Sequence, residues 1–148
     1  RVTPIAAIQP MYNLVKRQAE VEILPMAHDL GINVAPYSPL GGGLLTGKYA
    51  TGGAGRLTED DRYAARYGQD VMHQGAQGLS AIAAELSVAP ATLAVAWVAA
   101  HPTGPAPIIS ARSAEQQAPS LAALDFEMSP DLYQRLSAHA TDRTEEAS

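Results

Sequence analysis

The stretch YSPLGGGLLTGKY, residues 37–49, decides the fold, because it predicts the end of a strand and the start of a glycine-rich loop. Three consecutive glycines, Gly41 to Gly43, remove the side chains that would keep a ligand away from backbone N–H groups. Tyr37 offers a flat aromatic face beside them. On spacing alone the stretch predicts a site for an anionic ligand that carries a planar ring. A flexible loop is the alternative, because a lone glycine run is a weak motif.

Length and composition indicate one globular domain. The chain has 148 residues, 47% hydrophobic and 17% charged, which argues against disorder. Its net charge of -5, without a block of Lys or Arg, argues against a nucleic-acid partner. The lack of cysteine excludes disulfides and thiolate metal sites and is compatible with a cytoplasmic location. We expect no membrane partner, because no apolar run approaches the ~20 residues of a membrane span.

The residues before the glycine loop predict a strand–helix–strand unit. Residues 5–9 (IAAIQ), between two prolines, predict a strand buried on both faces. A helix is expected to begin at residues 16–20 but to start in earnest at Pro25, with that proline in a first-turn position and Gly31 as a left-handed stop. Residues 32–37 predict the second strand. The separation of the two strands is typical of a crossover with parallel pairing.

The stretch that follows, residues 50–76, predicts a long loop rich in charged and tyrosine side chains. Long loops are usually functional or mobile. One interpretation is a lid or substrate-facing loop. The other is a solvated loop with one short helix.

The remaining residues, 77–148, predict helices and a last strand. Helical spacing is expected over 77–86 and 90–100, with Pro90 at a helix start and Trp97 in the core. Residues 106–111 (APIISA) predict a third strand. A helix is expected from Ser113 to about residue 125, and a final helix from Ser129 to Ala140, before a polar tail over 141–148.

Arg112 lies between the third predicted strand and a predicted helix start. Ser113 and Gln116, three residues apart, form a capping-box pattern. A strand, an arginine and a capped helix N-terminus together suit a phosphate group. The alternative is that Arg112 is a solvated surface residue. Three strands with intervening helices predict an α/β fold whose outer strand edges are unpaired.

Residues 9–49, QPMYNLVKRQAEVEILPMAHDLGINVAPYSPLGGGLLTGKY, resemble the aldo-keto reductase superfamily, as do PIISARSAEQ (107–116) and LAALD (121–125). The resemblance covers essentially the whole chain and favours the long-loop branch that includes the potassium-channel β subunits. It implies an α/β fold that is a partial (β/α)8 TIM barrel: three parallel strands with helices, and a C-terminal helix. Residues 1–148 would be the C-terminal portion, divided into 4–49 (strand–helix–strand and cofactor loop), 50–76 (long loop) and 77–148 (helices and last strand).

The resemblance also implies the cofactor NADP(H). Gln9 would bond the nicotinamide carboxamide, Tyr37 would stack on the nicotinamide ring, and Arg112 would face the 2′-phosphate. The cofactor-binding residues implied are Gln9, Tyr37, Ser38, Pro39, Leu40, Gly41, Gly42, Gly43, Arg112, Gln116 and Ser120. Ser110, Pro119 and Ser120 depart from the usual family residues, which puts the adenine contacts in doubt.

No catalytic residue is expected within this chain. The family's Asp, Tyr, Lys and His tetrad would precede it, and the adjacent Lys48 and Tyr49 do not reproduce that set. The resemblance thus implies the C-terminal part of a reductase of aldehydes and ketones, a truncated fragment that is inactive alone. Two alternatives stay open: a non-catalytic NADP(H)-binding or regulatory module, and a degenerate partial barrel that self-associates. The expected partners are a small carbonyl substrate and either the missing N-terminal barrel half or a second copy.

Overall fold

A computed structural model describes residues 2–139, so the predicted end of the last helix at Ala140 and the polar tail over 141–148 lie outside the described residues. Two strands and seven α-helices follow one another within that range. They are β1 (Ala7–Ile8), α1 (Ile23–Asp29), β2 (Asn33–Val34), α2 (Arg56–Glu59), α3 (Asp61–Tyr67), α4 (Asp70–Glu85), α5 (Pro90–Ala99), α6 (Ala114–Leu121) and α7 (Pro130–Ala138). Short 3-10 helices cover Gln18–Glu20, Gly41–Thr46, Lys48–Thr51 and Ala122–Asp125.

β1 and β2 pair in parallel, as predicted. Ala7 lies opposite Asn33 and Ile8 opposite Val34, and a further parallel bridge joins Met11 to Tyr37. The expectation that the first strand is buried on both faces is wrong, because residues 2–7 are exposed and Ile8 is only partly buried. Nothing in the described part of the chain covers this end of the sheet.

The third predicted strand does not form a regular strand, so the predicted set of three parallel strands is wrong. Residues 106–111 still lie alongside β2, since the Ala106 N–H donates to the Val34 carbonyl (2.9 Å) and the Ile108 N–H to the Pro36 carbonyl (2.8 Å). In a regular parallel ladder, one more hydrogen bond would lie between these two. The N–H of residue 36 would have to donate it, and proline has no N–H. Pro36 therefore interrupts the ladder while leaving the segment in position.

Two predictions for the first helix are confirmed: a proline in its first turn and a left-handed glycine after its end. Pro25 lies in the first turn of α1, which begins at Ile23 and not near residue 16. Gly31 has a φ of 65°. The N–H of Ile32 donates to the Ala27 carbonyl (2.8 Å) and that of Gly31 to the His28 carbonyl (3.2 Å). This is the Schellman arrangement, which needs a residue in left-handed conformation just past the helix.

The prediction of a long loop over residues 50–76 is wrong. It contains α2 and α3, and α4 begins at Asp70, seven residues before the helix predicted from residue 77. The Asp60 side chain caps α3 by accepting from the Arg62 N–H (3.0 Å). The division of the chain into three portions stays a prediction.

The core is centred on α5. All residues from 91 to 98 are buried, and Trp97 is fully enclosed, so its predicted core role is confirmed. Its ring stacks on that of Tyr133 in α7 (5.6 Å between centroids) and tilts against Tyr12 (5.3 Å). No single helix within residues 2–139 is long and apolar enough to cross a membrane, and α4 with α5 meets that requirement only as a pair bent by 106°.

A buried polar network joins the segment after β1 to the core. Tyr12 Oη donates to Glu20 Oε1 (2.6 Å), and Arg17 pairs with the same carboxylate at 2.8 Å. Arg17 also lies over the Trp97 ring and donates to the Ser137 carbonyl (3.2 Å). Burial raises the pKa of Tyr12 far above its ordinary value, and the hydrogen bond to Glu20 raises it further. This network fixes the chain leaving β1 against α5 and α7.

Candidate functional site

A cleft of about 720 Å³ opens beside the end of β2. The glycine loop forms one wall, α2 and α3 a second, and residues 108–112 with α6 a third. Eight of the eleven predicted cofactor-binding residues line it: Tyr37, Ser38, Pro39, Leu40, Gly42, Gly43, Arg112 and Gln116. The structure thus brings the two sequence segments 37–43 and 112–116 together.

Three predicted residues lie outside the lining. Gln9 is exposed just after β1. Gly41 is buried, with a Tyr67 ring carbon 3.4 Å from where its Cβ would be. Ser120 is only 5% exposed and lies in α6, a helix that packs on α5. A ligand contact by any of the three stays a prediction.

Four positions between residues 38 and 43 have a left-handed backbone. The φ angles are 58° at Ser38, 57° at Gly41, 66° at Gly42 and 96° at Gly43. The N–H of Gly41 donates to the Ser38 carbonyl and that of Gly43 to the Leu40 carbonyl, both at 3.0 Å. These two N–H groups therefore close turns inside the loop, in contrast to the expectation that the glycine amides point at a ligand.

The glycines also provide space for neighbouring side chains. A Cβ on Gly42 would lie 2.8 Å from Tyr63 Cδ1, and one on Gly43 would lie 3.1 Å from Lys48 Cε. Both distances are shorter than ordinary carbon contacts. Any larger residue would push Tyr63 or Lys48 away from the loop, so the glycines let α3 and a cation approach it closely.

Tyr49 connects α2 to the glycine loop through two hydrogen bonds. Its hydroxyl donates to the Gly42 carbonyl and accepts from the Leu57 N–H, each at 3.2 Å. As a result, five residues from the stretch 50–76 line the cleft: Ala54, Gly55, Arg56, Glu59 and Tyr63. This stretch faces the cleft, and its role as a lid or substrate-facing loop stays a prediction.

The cleft is positively charged within an acidic chain. Lys48, Arg56 and Arg112 line it, against the single carboxylate of Glu59. Lys48 Nζ lies 4.9 Å from the Tyr49 ring centroid, and the Arg56 guanidinium lies 5.4 Å from that of Tyr63. Cations held over aromatic rings in this way are partly oriented before a ligand arrives. The lining is suited to an anion.

Arg112 is placed by the start of α6. Ser113 Oγ accepts from the Gln116 N–H (3.2 Å), which confirms the predicted N-cap. The Gln116 side chain reaches one residue further back than a capping box requires, because its Oε1 accepts from the Arg112 N–H (2.9 Å). Gln116 thus holds the backbone of Arg112 at the cleft wall.

Sequence reasoning missed Lys48, Arg56 and Tyr63 as lining residues. The glycines that follow, Gly52, Gly53 and Gly55, could have indicated these residues. A Cβ on Gly53 would lie 2.7 Å from the Lys48 carbonyl oxygen, and one on Gly55 would lie 2.7 Å from Tyr49 Oη. These glycines mark the point at which the chain turns back over itself. Within residues 2–139 no three His, Asp or Glu side chains converge as metal ligands.

Comparison with known proteins identifies relatives along most of the chain. The model of the aldo/keto reductase family matches residues 1–141. The uncharacterized oxidoreductase YrpG of Bacillus subtilis is 37% identical over 129 residues, which cover 86% of this chain and 38% of the relative. The probable voltage-gated potassium channel subunit beta of Oryza sativa subsp. japonica is 36% identical over 126 residues, covering 79% and 38%.

A third relative, the probable aldo-keto reductase 1 of Glycine max, is 34% identical over 100 residues, which cover 66% of this chain and 29% of the relative. The chain therefore spans well under half the length of the curated relatives it matches. The family match and these relatives confirm the resemblance inferred from residues 9–49 and 107–125. The chain belongs to the aldo/keto reductase family.

Proposed function

We propose that this chain is the C-terminal, cofactor-binding part of an NADP(H)-dependent oxidoreductase that reduces aldehydes and ketones to alcohols. One observation carries the proposal: three cations and one carboxylate line a single cleft in a chain of net charge -5. Tyr37 and the glycine loop lie in the same cleft, which joins an aromatic face to a set of phosphate-binding groups. The similarity to a protein named as an oxidoreductase supports the reaction class.

The charge of the lining supports a dinucleotide phosphate as the ligand. Arg112 offers a planar, permanently charged group suited to the 2′-phosphate. Lys48, whose side chain lies against Gly43, and Arg56 at the start of α2 line the same cleft, where they would neutralise the pyrophosphate. Tyr37 is 36% exposed, so its ring is accessible for stacking on the nicotinamide.

When bound, NADPH supplies the hydride for carbonyl reduction. The residues of this chain would bind and orient the nucleotide and shield one side of the cleft with α2 and α3. The proton donor and the other members of the Asp, Tyr, Lys and His tetrad are proposed to lie outside this chain, as part of a (β/α)8 barrel. Residues 1–148 alone are therefore proposed to be inactive, and we propose a cytoplasmic location.

A second candidate is a non-catalytic NADP(H)-binding or regulatory module. The similarity to proteins named as potassium channel β subunits favours it. The two candidates share the cleft and differ in turnover. Reduction of aldehydes by the complete gene product would support the enzyme, whereas tight cofactor binding without any reduction would support the module.

The partner proposal concerns the uncovered side of the sheet. Val2 is 92% exposed and Ile5 64%, and α1 presents Ile23, Met26 and Leu30 to solvent. These apolar residues suit the missing N-terminal barrel half, or a second copy if the partial barrel self-associates. Light scattering on residues 1–148 tests this: we expect association, and a stable compact monomer would contradict it.

The cofactor proposal is tested by fluorescence titration of the complete gene product with NADPH and NADH. We expect saturable binding of both, with NADPH the tighter ligand because of Arg112. A protein that binds neither nucleotide at millimolar concentration would overturn the proposed function.

A further inference from the structure

Two fully buried polar side chains meet beneath the wall of the cleft. Asn13 follows β1, and Tyr67 is the last residue of α3, so they are 54 positions apart in the chain. Both are 0% exposed, and neither lines the cleft. Burying polar groups is unfavourable unless they are paired, so a precise set of bonds is expected around them.

Asn13 uses both ends of its amide. Its Nδ2 donates to the Ser38 carbonyl (2.9 Å) and to Tyr67 Oη (3.2 Å), while its Oδ1 accepts from the Val15 N–H (3.0 Å). The Tyr67 hydroxyl in turn donates to Met11 Sδ (3.3 Å). Each hydrogen of the Asn13 amide therefore has a defined acceptor, and one of them is the backbone of a cleft residue.

The anchored carbonyl belongs to a residue in an unusual conformation. Ser38 has a φ of 58°, and within residues 2–139 Ser87 is the only other non-glycine residue with a positive φ. An L-residue avoids this region unless its surroundings impose it. Ser38 also separates Tyr37 from Pro39 and Leu40, so its backbone sets both the direction of Tyr37 and the entry into the glycine loop.

Tyr67 supports the same wall from the other side. Its ring lies 3.4 Å from the place where a Gly41 Cβ would be, so it packs directly under the glycine loop. Burial raises the pKa of the Tyr67 hydroxyl above its ordinary value, so the group stays protonated and can donate its hydrogen bond to Met11 at neutral pH. Tyr67 thereby links α3, the helix that carries the cleft residue Tyr63, to the backbone at Ser38.

We propose that Asn13 and Tyr67 are positioning residues that hold Ser38 in its left-handed conformation and so preset Tyr37 and the glycine loop for the nucleotide. The inference rests on the proposed function for the identity of the ligand. Neither residue touches the cleft, so both would act through Ser38 and Gly41. Preset geometry improves affinity because less ordering has to accompany binding.

The test compares Asn13→Asp and Tyr67→Phe with matched controls in the complete gene product. Asn13→Asp keeps the shape and the acceptor but replaces the donor to Ser38 with a carboxylate oxygen. Asn33→Asp makes the same change at an exposed amide bonded to the Ala6 carbonyl. Tyr12→Phe removes the hydroxyl of another fully buried tyrosine, whose side chain bonds Glu20 and does not line the cleft.

Hydrogen exchange in the absence of nucleotide gives the first readout. We expect exchange of the amides in residues 38–45 to rise at least several-fold in Asn13→Asp and Tyr67→Phe, and to stay unchanged in both controls. This readout needs no ligand, so it separates failure of the inference from failure of the proposed function. If residues 38–45 exchange as in the wild type in either folded variant, the inference is overturned.

Nucleotide affinity gives the second readout. We expect Asn13→Asp to bind NADPH about tenfold more weakly than the wild type at pH 8, with the ratio recovering at pH 5.5. A buried carboxyl group has a raised pKa and, once protonated, can again donate to the Ser38 carbonyl. A ratio that does not change with pH would contradict the donor role of Asn13. Tyr67→Phe, the milder change, decides the outcome if Asn13→Asp does not fold.

Discussion

The core helix α5 and the glycine segment 41–52 are both rich in small residues, yet different forces hold them. In α5, eight consecutive residues are buried and apolar packing surrounds Trp97. The glycine segment buries Leu44 and Leu45 in the same core, but side chains also bond its backbone: Thr46 Oγ1 donates to the Gly43 carbonyl (2.7 Å) and Thr51 Oγ1 to the Lys48 carbonyl (3.0 Å). Apolar packing dominates in the first case, and directional bonds add to it in the second.

The largest expected effect concerns the packed side of this comparison. Trp97→Ala should lower the free energy of unfolding by about 3–5 kcal/mol, because it leaves a large cavity between Tyr12 and Tyr133. Denaturant unfolding measures it. Leu124→Ala is the control, since Leu124 is 84% exposed and its loss should change stability by at most about 0.5 kcal/mol. Equal effects of the two substitutions would contradict the placement of the core.

In the glycine segment, Gly42→Ala and Gly52→Ala separate the cost of a strained backbone from the cost of a steric clash with a neighbouring side chain. Both glycines have positive φ, so each alanine should cost about 1–2 kcal/mol of stability. Only Gly42→Ala also meets Tyr63 at 2.8 Å, whereas a Cβ on Gly52 has nothing within 4 Å. We expect an added cost of about 1–3 kcal/mol, and weaker NADPH binding, for Gly42→Ala alone. Unfolding and nucleotide titration measure the two effects, and identical losses would break the comparison.

Arg112→Ala tests the charge of the cleft. We expect NADPH affinity to fall roughly tenfold to a hundredfold, since a bond between charged groups contributes about 1.5–3 kcal/mol. NADH affinity should change little. Arg135→Ala is the matched control, because Arg135 pairs with the exposed Glu85 (2.6 Å) and lies outside the cleft lining. A loss of equal size for both nucleotides would disprove the 2′-phosphate role.

The smallest expected effect is a pH dependence of stability from Tyr12. Its pKa is raised in the folded protein, so its contribution is complete below pH 10 and is lost as the pH rises further. The unfolding free energy should fall by up to about 1.4 kcal/mol per pH unit above pH 10 for this group. Tyr12→Phe should make that decline shallower when thermal unfolding is measured between pH 9 and 11. An unaltered slope would contradict the buried, protonated state.

The parts of the fold that sequence predicts well are those set by neighbouring residues. Pro90 starts α5, Gly31 follows α1, and Ser129 caps α7 by accepting from the Leu132 N–H (3.2 Å), all from local chemistry. The third strand was predicted from its apolar residues but does not form as a regular strand. Its neighbour carries Pro36, which has no N–H to donate the hydrogen bond that would complete the ladder. One short helix was an alternative for residues 50–76, whereas two form between residues 56 and 67. Leu57 and Tyr63 pack against Gly42, and Tyr67 packs against Gly41, so these helices depend on contacts with a segment distant from them in the sequence.

The candidate site likewise contains residues that the local sequence predicts and residues that only the folded chain brings together. Tyr37, the glycine loop and Arg112 could be found because each ends a predicted strand. Lys48, Arg56 and Tyr63 join them only once the chain folds back at Gly53 and Gly55. The contact of Asn13 with Tyr67 spans 54 positions, and no local pattern in the sequence predicts it.

Hydrogen exchange with and without NADPH tests the central claim most directly, in the complete gene product. Binding in the cleft should slow exchange in residues 38–49, in α2 and α3, and at the start of α6. Amides of α4 and α5 should be unaffected beyond the first turn of α5, because the helices are already packed in the core. Protection confined to the core helices, or none anywhere at saturating NADPH, would contradict the assignment of the cleft as the nucleotide site.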